Sequence, residues 1–328
     1  MKSSRLMLSP LLLTLVLLFV PQVFAETLPY APAEKELMVP VEGGKVYVRL
    51  NGLAHKAAIP VIFIHGGPGG THNGFAGMTG LADDRMVIMY DQLDSGKSEQ
   101  TNNPDNWRVE RFVESIETIR QHLNIPRWHV VGHSWGSALA LEYTAKYPSN
   151  VVSTVLGGTF ISTPHWIMDA NLLVKAAPKA VQQTLRECES SEPPGEDKCS
   201  AAYTKLYSTY YTPGTASSAK QEYYQNVGGN GFNPVIYNAM WGPSEFSSTG
   251  VLKHYDATHL LSRINPAKTL FMIGQYDSAR IDTVQDYLAL TPGAELAVVP
   301  GGAHGFYSDR PLITQAILTS WLNRHDQD

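Results

Sequence analysis

Cysteine is scarce. The 328 residues contain two, Cys188 and Cys199, with no further ligands at metal-binding spacing, so no metal site is expected. Positive charge is also short. Lys and Arg number 25 against 30 Asp and Glu, which leaves nothing that suggests a nucleic-acid surface. Beyond the first 20 residues no apolar run is long enough to span a bilayer, so no stable membrane insertion of the mature chain is expected. A phosphate cradle is missing too. Gly96-Lys97-Ser98 resembles the end of a P-loop, but that motif needs glycine five residues before Gly96, where Asp91 stands.

The chain opens with Lys2 and Arg5, an apolar core from Leu11 to Val20, and Val23-Phe24-Ala25 as a small-residue cleavage site. This pattern predicts a secretory signal over residues 1–25 and an exported protein, periplasmic or secreted. The segment carries two basic residues and no acids, so its removal takes the formal charge from −5 to −7. Cys188 and Cys199 flank a polar, turn-rich loop. In an exported protein they are expected to pair, stapling that loop for about 3 kcal/mol.

The strongest positive signal is Gly132-His133-Ser134-Trp135-Gly136, between the apolar Trp128-His129-Val130-Val131 and the small-residue run Ser137-Ala138-Leu139-Ala140. It matches the G-x-S-x-G nucleophile elbow, with strand before and helix after. A serine nucleophile needs a base, and the base needs an orienting carboxylate. In this architecture they follow in the order Ser, Asp or Glu, His. Asp277 lies just past the apolar run Thr269–Gly274, and His304 lies past Glu295–Val299, so each is expected at the carboxyl end of a strand. Ser134 is therefore the candidate nucleophile, His304 the base and Asp277 its partner. The rival groups are less well placed. His65 and His133 sit in glycine turns and read as structural or as site floor, Asp282 is placed to start a helix, and Asp256, His254 and His259 follow no strand. A second glycine turn, His65-Gly66-Gly67-Pro68-Gly69-Gly70, follows the apolar Val61–Ile64. Gly67 N–H and Trp135 N–H are the expected oxyanion donors. The competing reading is an elbow-like turn without catalysis.

Periodicity places these motifs. A hairpin is expected over Leu37–Leu50 and a buried strand over Met86–Tyr90. Val109, Phe112, Val113, Ile116, Ile119 and Leu123 recur at helical spacing, a helix follows the elbow to Tyr147, and Val151–Leu156 reads as the next strand. Alternating strands and helices predict an α/β fold, a mostly parallel sheet with helices on both faces. The alternation breaks between about Ser162 and Ser262. The expected organisation is core over 26–161, an inserted, mainly helical cap over 162–262, and core again over 263–328.

The glycine loop, Asp91-Gln92, the elbow, Trp241-Gly242-Pro243-Ser244-Glu245-Phe246 and Gly274-Gln275-Tyr276-Asp277 together resemble the proline iminopeptidases, aminopeptidases of the α/β-hydrolase fold. The resemblance spans most of the mature chain. It implies release of an N-terminal residue, often proline, from a small peptide or amino-acid amide, without a cofactor. It also implies that cap carboxylates hold the substrate's ammonium group, and Glu245 matches one such position; the alternative is an exposed cap acid or a helix-start charge. Two departures stand out. Asp94 occupies a position where the family usually has glycine, and no second amine-binding glutamate aligns between Tyr203 and Gly231. Tyr210, Tyr211, Tyr223, Tyr224 and Trp241 are candidates for a hydrophobic pocket or for ordinary cap core. The alternative activities are an esterase, lactonase or general amidase with the same triad, and a binding protein on the same fold.

Overall fold

The computed structural model of the chain describes residues 30–190 and 231–327, with 195, 198–199, 201–203 and 205–206 between them. The expected signal over 1–25 and the tyrosines Tyr210, Tyr211, Tyr223 and Tyr224 lie outside the described residues.

A single eight-stranded sheet organises the core. Its strands are β1 (Lys35–Val41), β2 (Gly44–Asn51), β3 (Val61–Ile64), β4 (Val87–Tyr90), β5 (Trp128–His133), β6 (Val151–Gly157), β7 (Thr269–Gly274) and β8 (Glu295–Val299). Their spatial order is β1-β2-β4-β3-β5-β6-β7-β8. β2 pairs antiparallel with β1 and β4, and every other pairing is parallel. β3 and β4 read as unbroken apolar runs because both faces are covered, whereas β8, at the sheet edge, is partly exposed. Along β3, Ile62 and Ile64 join one buried cluster, which includes Phe112, Ile116 and Leu139 from α1 (Val109–His122) and α2 (Trp135–Lys146). Val61 and Phe63 point the other way, toward Leu318, Trp321 and Leu322. The period of two in the strand thus feeds two cores, one on each face.

β6 and β7 are neighbours in the sheet, with Thr154 opposite Thr269, although the chain between them runs through residues 158–268. The cap expected over 162–262 falls inside this connection. Its described helices are α3 (Thr163–Ala176), α4 (Lys179–Cys188) and α5 (Pro234–Met240). Cys188, the last residue of α4, is bonded to Cys199. Beside that bridge, Val181, Leu185, Ala202 and Leu206 form a small core on which Tyr203 and Phe246 pack, their rings stacked 6.2 Å apart. After β7 come α6 (Ile281–Leu290), β8, α7 (Phe306–Asp309) and α8 (Pro311–His325). Asp282 sits in the first turn of α6, as its position in the sequence implies.

Candidate active site

β5 ends at His133 and α2 begins at Trp135, so the whole strand-to-helix reversal falls on Ser134. Its backbone has φ 56° and ψ −126°, a region a side chain rarely adopts. The flanking glycines have a measurable cause. A methyl group on Gly132 would stand 2.1 Å from the Gly136 carbonyl oxygen, and one on Gly136 would stand 2.0 Å from that of Ile64. Ser134 N–H donates to the Gly157 carbonyl at 2.9 Å, and its own carbonyl accepts from Ser137 N–H at 2.8 Å and Oγ–H at 2.6 Å. The backbone is fully engaged, and Ser134 lines a pocket over the sheet.

Asp277 lies three residues past β7 and His304 five past β8, on adjacent parallel strands. His304 Nδ1–H donates to Asp277 Oδ1 at 2.7 Å, and both side chains are buried. Asp277 also accepts from Ala279 N–H at 2.9 Å and Gly274 N–H at 3.3 Å, so its carboxylate is held from three sides. Burial alone would lower the His304 pKa. The charge and hydrogen bond of Asp277 outweigh it and hold His304 above its ordinary value. His133, read from sequence as structural or as site floor, donates from Nε2 to the His304 carbonyl at 2.7 Å and packs its ring 4.6 Å from that of His304. Burial pushes its pKa down to about 3, so it stays neutral beneath the site.

The pocket over Ser134 is partly open to solvent. Gly67, Ser134, Trp135 and Glu245 line it, with walls from Phe160, Trp166 and Trp241. Two of the sequence candidates for oxyanion donors, Gly67 and Trp135, thus meet Ser134 in one space. Trp135 is the first residue of α2, where a helix leaves its N–H groups without intrahelical partners. Glu245 Oε1 accepts from Tyr237 O–H at 2.7 Å, and the Trp166 indole also donates to the carboxylate. Burial pushes the Glu245 pKa up to about 7, against the pull of the His304 charge and the Trp166 bond. The Trp166 ring lies 5.4 Å from that of His304, so this residue touches both groups. Neither Trp166 nor Tyr237 carries a signal in the sequence, since they stand 79 and 8 residues from Glu245 at no recognisable spacing. The stretch from Tyr203 to Gly231, in which no second amine-binding glutamate aligns, lies almost wholly outside the described residues.

Both anomalies in the segment 91–98 have local explanations. Asp94 has φ 59°, the left-handed region in which glycine is at ease and Asp is among the better-tolerated alternatives. Its buried carboxylate accepts from Trp107 Nε1–H at 2.8 Å and Asn102 N–H at 2.7 Å, contacts that glycine could not make. Gly96 has φ 50°, and a methyl group there would stand 2.2 Å from Asp91 Oδ2. The apparent P-loop ending is a turn wrapped around a carboxylate.

A parallel sheet, a strained serine between strand and helix, and a buried Asp–His pair at the same sheet edge define a serine hydrolase of the α/β-hydrolase fold. The sequence profile of that family, described as the alpha/beta hydrolase fold, matches residues 59–311. The chain is 35% identical to the proline iminopeptidase of Heyndrickxia coagulans over 291 residues, covering 88% of this chain and 98% of that one. The crystal structure of the Mycobacterium smegmatis proline iminopeptidase superposes with a TM-score of 0.77 at 26% identity, covering 89% and 99% of the two chains. An esterase from Exiguobacterium antarcticum, 18% identical with a TM-score of 0.63 over 88% and 100%, shares the fold alone. The chain belongs to the proline iminopeptidase family, and it is a serine hydrolase of the aminopeptidase type.

Proposed function

We propose that this protein releases a single N-terminal residue, proline or another small apolar one, from short peptides or amino-acid amides through an acyl-enzyme. The observation that carries this reading is Glu245, a carboxylate in the same pocket as Ser134. In this mechanism Ser134 Oγ attacks the scissile carbonyl while His304 Nε2 takes its proton and Asp277 holds the ring. The N–H groups of Gly67 and Trp135 receive the oxyanion. His304 then protonates the leaving amine, the acyl-enzyme forms, and water enters with His304 again as base. Glu245 pairs with the free ammonium of the substrate throughout.

Matched prolyl, alanyl and leucyl naphthylamides, each free and N-acetylated, test the reading. Cleavage is expected only of the free amines. Glu245→Gln should lower kcat/KM for them by about 2–5 kcal/mol, about thirtyfold to several-thousandfold, because it strands the ammonium. The pH dependence follows from the direction of the shift. Glu245 binds a cation only when ionised and His304 accepts a proton only when neutral, so kcat/KM of the wild type should fall steeply as both groups protonate, Glu245 at about 7, and Glu245→Gln should keep only the shallower, single-proton limb of His304. Equal cleavage of the acetylated substrates would move the protein to the esterase and amidase class. We further propose export, on the strength of Met1–Ala25; a periplasmic or secreted product that does not begin at Glu26 would count against that cleavage site.

A further inference from the structure

Gln92 follows β4 at its carboxyl end and is buried. Its backbone N–H donates to His65 Nε2 at 2.9 Å, which leaves Nδ1 as the protonated ring nitrogen, 2.8 Å from the Gly66 carbonyl oxygen. Burial lowers the His65 pKa to about 4, so the ring is neutral and keeps that arrangement near neutral pH. The Gly66 carbonyl and the Gly67 N–H belong to one planar peptide unit. The His65 ring therefore fixes the direction in which Gly67 N–H points. The Gln92 side chain acts on the same loop and on a second segment. Its amide donates to the His65 carbonyl at 2.8 Å and accepts from Trp135 Nε1–H at 3.0 Å. In the sheet order β4-β3-β5, Gln92 thus reaches across the end of β3, whose loop carries Gly67, to the start of α2, which carries Trp135.

We propose that Gln92 is a positioning residue for the oxyanion hole, a role that rests on the assignment of Gly67 and Trp135 as its donors. The two N–H groups lie three residues past Ile64 and Gly132 respectively, the last pair of the β3–β5 ladder, so the ladder itself stops short of them. Oxyanion stabilisation needs each donor about 2.7–3.1 Å from the developing charge, so a brace between the two segments bears directly on the rate. Substrate in the ground state gains little from it. The expected signature is a loss in kcat with KM little changed.

Gln92→Met removes both side-chain bonds at similar volume and should lower kcat by about 10- to 100-fold. Gln92→Glu gives a sharper readout. Protonated, its carboxyl reproduces the donor and acceptor of the amide; ionised, it only accepts and faces the His65 carbonyl. Its activity relative to wild type should therefore decline as pH rises through the titration of that carboxyl, while the Gln92→Met ratio stays flat. Trp135→Phe removes one bond of the brace, and the double variant with Gln92→Met should be no worse than Gln92→Met alone. Should Gln92→Met fail to fold, Gln92→Glu and Trp135→Phe carry the test. A kcat within about threefold of wild type in Gln92→Met, a loss confined to KM, or a flat Gln92→Glu ratio would overturn the proposal. A Ser134→Ala control separates the two levels. Turnover by that variant would remove the catalytic reading itself, whereas an inert Ser134→Ala beside an unimpaired Gln92→Met removes the brace alone.

Discussion

Ser134→Ala is expected to lower kcat by about six orders of magnitude, leaving a residue of catalysis that the oxyanion donors and the pocket supply without a nucleophile. The substitution isolates the hydroxyl. Alanine keeps the Cβ at φ 56°, and the bonds from Ser134 N–H to Gly157 and from Ser137 to the Ser134 carbonyl involve no side-chain atom of residue 134. Stability should stay within about 1 kcal/mol of wild type, since no buried group loses a backbone partner. His304→Ala should cost nearly as much, and the double variant little more, because nucleophile and base act as one unit. Stoichiometric labelling by an active-site serine phosphonate checks the chemistry apart from turnover and should disappear in Ser134→Ala. Retention of a tenth of the wild-type kcat by a pure preparation would rule out the assignment.

Much of this site could be read from the chain because each part has a local cause. β3, β4 and β7 are buried on both faces and therefore appear as apolar runs. The elbow shows in sequence because Gly132 and Gly136 each press on a backbone carbonyl. Asp277 and His304 stand just past the ends of β7 and β8, which parallel pairing places side by side. Contacts made across distant segments were not legible. Tyr237 and Trp166 reach Glu245 from separate helices of the β6–β7 connection, and that meeting depends on tertiary packing rather than on any period. Gln92 was visible only as part of a motif, since its bonds run to His65 and Trp135, 27 and 43 residues away. Asp94 looked like a departure from the family pattern, and only its φ and its three-sided hydrogen bonding reveal why an acid can stand there.

Asp277→Asn should lower kcat by about four orders of magnitude while leaving the fold in place. In the wild type, Oδ1 accepts from both His304 Nδ1–H and Ala279 N–H, and Oδ2 accepts from Gly274 N–H. Asparagine has a donor on one of its two terminal atoms. Turned one way, its NH₂ opposes Ala279 N–H and forces His304 to accept at Nδ1, which moves the ring proton to Nε2 and removes the base. Turned the other way, the NH₂ opposes Gly274 N–H, and the imidazolium formed in the reaction loses its counter-charge. Either orientation also sets two buried donors against each other, at about 1–3 kcal/mol. The pH profile distinguishes this loss from a general disturbance. Asp277 is what holds His304 above its ordinary value against burial, so without the charge burial prevails and the His304 pKa falls. Activity rises with pH as His304 loses its proton. In Asp277→Asn that rise should therefore occur at lower pH, on a much reduced plateau. Wild type and Asp277→Asn are compared on the same free-amine substrate, so the titration of Glu245 enters both profiles alike and the difference between them reports His304. Asp282→Asn serves as the comparison, since Asp282 is exposed and bonds only Arg280 at 2.5 Å. A variant that kept a tenth of wild-type kcat with an unmoved acid limb would mean that a group other than Asp277 charges the base.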